Sequence, residues 1–209
     1  MYNFTGGKLT FRDKFDENLD NFKWPSPYSL KEIIFGFCFN QNIDNACFPH
    51  GISHIWFNYI FNQNVDRVYW PRQLYSVHFG HLFDQNIDNV LWPTTLNILN
   101  SGSHRNNIIN HLPNSLQILI FDHDYNHNLN NVHWPTTLEV ITFGQWFNQD
   151  ISAVKFPGIS YVYDNSGKIT YDSCQWPKSL HKIIMINMNN DIIIYERYIG
   201  RYTKCAINF

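Results

Sequence analysis

Apolar positions along this chain return at a long fixed interval, far beyond the spacing of a helix turn or of an alternating strand. Phe39 to Phe48 reads FNQNIDNACF, Phe61 to Trp70 reads FNQNVDRVYW, and Phe83 to Leu96 reads FDQNIDNVLWPTTL. Tyr125 to Leu138 reads YNHNLNNVHWPTTL and Phe147 to Phe156 reads FNQDISAVKF. Eight of the nine prolines, Pro25, Pro49, Pro71, Pro93, Pro113, Pro135, Pro157 and Pro177, are spaced 24, 22, 22, 20, 22, 22 and 20 residues apart. A unit near 22 residues is the signature of a solenoid, in which each coil buries its apolar face only against its neighbours.

Within the unit, three features place the backbone. A large ring or Leu112 precedes each proline (Trp24, Phe48, Trp70, Trp92, Leu112, Trp134, Phe156, Trp176), and a residue before proline is held extended. Those rings are expected to stack along the core. After the proline comes P-x-x-L-x-x-Φ-x-F, as in Leu74, Val77 and Phe79. Its alternation predicts one short strand per coil, with Val77 and Phe79 inward and Ser76 and His78 outward. Stacking the coils places these strands in a parallel sheet. The next residue is Gly36, Asn58, Gly80, Gly102, Asp122 or Gly144, types that tolerate a left-handed backbone, so a left-handed turn is expected there. The Asn18, Asn42, Asn64, Asn86 and Asn128 column is expected to bond the adjacent coil's backbone.

The fold class is therefore an all-β repeat solenoid, leucine-rich-repeat-like, with one short parallel strand per coil and little or no helix. Residues 1–14 read as an N-terminal cap strand, because Leu9 and Phe11 align with Val77 and Phe79. Residues 15–187 read as the array and 188–209 as a C-terminal hairpin cap guarding the open edge, all in one domain. The register is expected to break over Asn100–Asn110, where the coil is short. The strand signal is weak over Gly158–Cys174, where residues 164–167 read as a turn.

Composition narrows function mainly by exclusion. A net charge of −2, a pI near 6.5 and only 15% charged residues offer no footprint for a phosphate backbone or an anionic membrane. No stretch reaches the roughly 20 apolar residues of a membrane helix. Cys38, Cys47, Cys174 and Cys205 form no C-x-x-C pair, so reduced thiols in an intracellular protein are expected. The Asp20, Asp44, Asp66 and Asp88 column lacks the Gly-rich setting of a calcium site, and the histidines are scattered. No nucleophile elbow, phosphate loop or zinc-protease motif occurs, so the expectation is a non-enzyme with no catalytic residue, cofactor or metal.

The FNQNID run, the Trp-Pro pair and the L-x-x-Φ-x-F-G ending together resemble the FNIP repeat family of social amoebae and of giant viruses that infect amoebae. The resemblance covers about residues 11–187, with Asn where the family's FNQPI has Pro, and the repeats near Asn106 and Tyr171 depart from it. It implies a solenoid for protein binding, often following an F-box that docks on a cullin-type ubiquitin ligase. With the first repeat starting almost at Met1, the expected role is the recognition part of a host-directed or ubiquitin-ligase-type adaptor, without its own F-box. The alternative is a self-associating structural protein such as a virion component. The expected location is the cytoplasm, the host's if the chain is viral, or the virion.

The functional signal lies in what varies. Alternation assigns the outward sheet face to Ile34, His54, Trp56, Ser76, His78, Ile98, Ile118, Ile120, Val140 and Thr142, beside Glu32 and Asn100. A solvated face should be polar, and this one is rich in Ile. Either it is covered from within the chain, for instance by the C-terminal segment, or the register differs, or it is a surface for a protein partner or a second copy with Trp56 as anchor.

Overall fold

The computed structural model describes residues 2–103, 109–122, 124–144, 147, 149 and 154, together with the strand backbones of 161–164, 182–186, 192–198 and 201–207. Among the described residues there is no helix, and twelve strands form one sheet in chain order. A hairpin opens it: β1 (Tyr2–Thr5) pairs antiparallel with β2 (Lys8–Phe11) through Gly6 and Gly7. Both glycines have positive φ (59° and 82°), as a tight two-residue hairpin turn requires. Then follow β3 (Glu32–Ile34), β4 (His54–Trp56), β5 (Ser76–His78), β6 (Ile98–Asn100), β7 (Ile118–Ile120) and β8 (Val140–Phe143). The series continues with β9 (Tyr161–Asp164) and β10 (Lys182–Ile186), and pairing is parallel from β2 to β10. Last come β11 (Ile192–Tyr198) and β12 (Arg201–Ile207), each antiparallel to its predecessor.

Three tight turns close each coil whose corners are all described, and they account for the repeat's spacing. Phe61 N–H donates to Asn58 O, Val68 N–H to Val65 O, and Leu74 N–H to Pro71 O. The next coil repeats them at Phe83 to Gly80, Val90 to Ile87, and Leu96 to Pro93. Each corner turns the chain while pointing its apolar residues inward. The proline adds a rigid extended entry to the third corner, and its carbonyl, which needs no N–H on the ring, accepts the leucine amide.

The core consists of rings in columns. Phe35, Phe57 and Phe79 stack at 5.1 and 5.6 Å, and Phe15, Phe39, Phe61 and Phe83 at 5.8, 6.0 and 6.1 Å, with nearly parallel planes throughout. The ring before proline stacks as expected from Phe48 to Trp70 (6.4 Å) and from Trp70 to Trp92 (5.3 Å).

Three expectations are corrected. Gly36 and Gly80 are not left-handed; at their register only Gly102 has positive φ, 77°. Glycine is needed there because a Cβ would lie 2.0 Å from Arg12 O at Gly36 and 1.8 Å from Asn58 O at Gly80, so the coils approach backbone to backbone. The Asn42 and Asn64 carboxamides do not reach the next coil. Each accepts the amide two residues on, from Asp44 and Asp66, as a local Asx turn. The links between coils come from the residue two places earlier: Asn40 N–H to Asp16 Oδ1, Asn62 N–H to Asn40 Oδ1, and Asp84 N–H to Asn62 Oδ1. Lastly, the stretch of weak strand signal contains β9, whose Asp164 pairs within the sheet instead of opening a turn. Of the irregularity expected at Asn100–Asn110, residues 104–108 lie outside the described residues.

Candidate protein-binding face

The pairing register carries each outward residue onto its equivalent in the next coil. Glu32, His54, Ser76, Ile98, Ile118 and Val140 form one row, and Ile34, Trp56, His78, Asn100, Ile120 and Thr142 form the other. All ten residues expected at the face from alternation therefore lie on one side of β3–β8. The intervening Ile33, Ile55, Val77, Leu99, Leu119 and Ile141 are fully buried on the other side. Contacts between strands run only between sheet neighbours, so β10, β11 and β12 extend the sheet and do not cross its face.

The face has two chemically distinct parts. Over β4 and β5 the side chains interlock. The Trp56 ring lies on the His78 imidazole with centroids 3.5 Å apart and planes 3° from parallel. His54 Nδ1 is 2.7 Å from Ser76 Oγ, and the Tyr75 ring meets the His54 ring edge-on at 5.8 Å. Ser76, assigned outward by alternation, does face that way, yet these neighbours leave it only 1% exposed. Burial, with His54 nearby adding to it, pulls the His78 imidazole down to about 4, so it stays neutral beneath the indole. Trp56 remains 39% exposed, its orientation set by the stack. Over β6–β8 the face is mainly aliphatic and half-buried, with Asn100 and Thr142 as its polar members. The one carboxylate of the face, Glu32, is paired with Lys8 at 3.2 Å.

The FNIP Repeat family model matches residues 105–145. Over that segment the chain is similar to the FNIP repeat. No curated protein matches the chain. Among solved structures, the crystal structure of CroV588, described as a novel circular LRR protein, is 22% identical with a TM-score of 0.33. That alignment covers 88% of this chain and 41% of the other, so the chain spans about two fifths of that protein's length.

One exposed group in this repeat array escapes the alternation rule. Phe37, Tyr59 and His81 follow the corner residues Gly36, Asn58 and Gly80 and stack along the strand ends at 5.0 and 5.2 Å. Phe37 is 45% and Tyr59 41% exposed. Their shared spacing of 22 was the available signal, but alternation within the strand does not extend to a residue beyond the corner. His81 then reaches Asp122 (Nδ1 to Oδ2, 3.1 Å) and Asp124 (Nε2 to Oδ2, 3.5 Å), tying together coils 41 residues apart in sequence.

Among the described residues no group of three or more His, Cys, Asp or Glu side chains is arranged to hold a metal ion. Cys38 and Cys47 are free thiols; Cys174 and the Cys205 side chain lie outside the described residues.

Proposed function

We propose that this FNIP array is a non-enzymatic protein-binding module that presents the β3–β8 face to a protein partner, with Trp56 as the anchor. The observation that carries the reading is the Trp56–His78 stack: a large ring left 39% exposed yet fixed by its neighbour. A ring already oriented loses little freedom on docking, and anchors of this type dominate binding energy. The backbone groups of the inner strands are consumed by the sheet, so recognition here runs through side chains and not through strand addition. A role as the recognition part of an adaptor follows from this reading together with the family resemblance.

The test is paired capture from amoeba lysate with the intact chain and Trp56→Ala, alongside light scattering of each. The expected result is a partner retained by the intact chain and lost by a variant whose melting temperature is nearly unchanged. Recovery of the same proteins by both would sink the site. A concentration-dependent assembly of the intact chain, dispersed by Trp56→Ala, would instead assign the face to self-association.

A further inference from the structure

The column of rings before proline has a missing rung. Trp24, Phe48, Trp70 and Trp92 follow one another through successive coils, and then the register supplies Leu112 before Trp134 resumes it. Trp92 is covered on one side by Trp70 at 5.3 Å and 25°. The coil on its other side brings a smaller, branched side chain. A cavity of about 500 Å³ lies between these two coils, bounded by Trp92, Pro93, Leu112, Pro113, Asp88 and His111. Its volume falls in the range of small-molecule or side-chain pockets, and its walls mix the Trp92, Pro93, Leu112 and Pro113 side chains with polar groups. A wider cleft of about 930 Å³ runs along Trp24, Phe48 and Trp70, but there each ring already has a ring neighbour, Phe48 tilted 38° to Trp24 and parallel to Trp70.

The polar rim restricts what fits. Asp88 accepts the backbone amides of Asn110 and His111 and the Asn110 side-chain amide, at 2.8 to 2.9 Å. Burial raises this carboxyl, but those hydrogen bonds outweigh it and hold the group below its usual range, so it remains an acceptor. The indole Nε1 of Trp92 has no hydrogen-bond partner. A pocket that offers a ring-sized gap beside an indole and a fixed carboxylate is suited to a planar ring carrying its own donor.

We propose that this cavity is a second binding site, separate from the sheet face, that takes one tyrosine or tryptophan side chain of a protein partner as the missing rung of the column. The ring lies against Trp92, and its hydroxyl or indole N–H points to the Asp88 side of the rim. Stacking of this kind favours offset rings over aliphatic groups of similar size.

The experiment follows the Trp92 indole N–H resonance of the whole chain during titration with N-acetyl-tyrosinamide, N-acetyl-tryptophanamide and N-acetyl-leucinamide. Saturable shifts with dissociation constants of about 1 mM are expected for the two aromatic probes and none for the leucine probe. Leu112→Phe, the residue type that Phe48 places at the same register, is expected to keep the melting temperature and weaken the aromatic probes more than about tenfold, a change of about 1.4 kcal/mol. Nuclear Overhauser contacts between probe ring protons and the Leu112 methyls in the unmodified chain supply a readout independent of that variant's folding. No saturable shift, equal binding of the leucine probe, unchanged affinity in a folded Leu112→Phe, or contacts confined to other residues would each overturn the proposal. None of these outcomes bears on Trp56.

Discussion

Trp56 and Phe57 are neighbours in sequence and face opposite environments. Phe57 is 4% exposed and stacks between Phe35 and Phe79, while Trp56 stands on the outer face over His78. The inner side keeps mostly large apolar residues in each column, because similar side chains are what allow coils to stack at a nearly constant spacing. The outer side changes from coil to coil, from Trp56 and His78 to Asn100 and Ile120. Repetition builds the scaffold, and variation on it carries whatever is specific. The sharpest test exchanges each neighbour for alanine. Phe57→Ala should cost about 3–5 kcal/mol by opening a cavity in the column, whereas Trp56→Ala should cost about 1 kcal/mol or less. Urea unfolding of the two variants side by side measures this. Similar losses would collapse the distinction between scaffold and face.

The corners sharpen the same comparison without touching a side chain. Gly80→Ala places a methyl group 1.8 Å from Asn58 O, which is backbone and cannot swing away. Separating the two coils should cost about 2–3 kcal/mol, at the upper end of overpacking changes. Gly6→Asn is the control, because its Cβ meets nothing within 4 Å and Asn tolerates positive φ. That change should be nearly neutral in thermal melting.

A smaller effect crosses from the outer face to stability. His78 is held at about 4 from an ordinary 6.5, first by burial and then by the charge of His54. Between those values the unfolded chain binds more protons than the folded one, so this contribution is full above pH 6.5 and is lost as the pH falls toward 4. The groups around it are the Trp56 ring, stacked on it, and His54 on β4, with Ser76 on its own strand. With the discount for a partly open face, the loss should be roughly 1–2 kcal/mol. His78→Phe, which keeps a ring under Trp56, should flatten the melting temperature over pH 4–6.5 relative to the unmodified chain. An unchanged pH slope in that variant would show that the face and the scaffold are uncoupled.

Much of this architecture was legible because a repeat averages out local ambiguity. The strand register, the inward Ile33, Ile55 and Val77, and the ring columns all followed from a spacing of 22 that five segments share. Ser76 was legible in direction but not in burial, since its cover comes from His54, a residue of another coil. β9 was obscured because its coil lacks the L-x-x-Φ-x-F ending, while a parallel strand can form on backbone pairing with its neighbours alone. The glycine columns were visible, but a positive φ and a close backbone approach select the same residue type. Only coordinates separate the two causes. The same holds for Phe37 and Tyr59, where periodicity marks a column without showing that it is exposed.

The asparagines give the finest distinction, since F-N-Q-N sets two of them two residues apart with different duties. Asn62 accepts the Asp84 backbone amide of the next coil at 2.9 Å and the Gln85 side-chain amide at 2.9 Å. Asn64 accepts the Asp66 amide of its own coil at 2.9 Å and donates to the Asp66 carboxylate at 3.2 Å. Removing the first leaves a part-buried amide of the neighbouring coil without its acceptor, which should cost about 1–2 kcal/mol. Removing the second loosens an exposed turn whose amide can turn to water, at about 0.5 kcal/mol. Hydrogen exchange separates the two where melting temperatures differ little. Asn62→Ala should speed exchange at the Asp84 amide across the junction between coils, and Asn64→Ala only at Asp66 within its own. Acceleration at Asp84 in both variants would mean that the local turn and the ladder between coils act as one unit, and the division of labour between the two columns would fail.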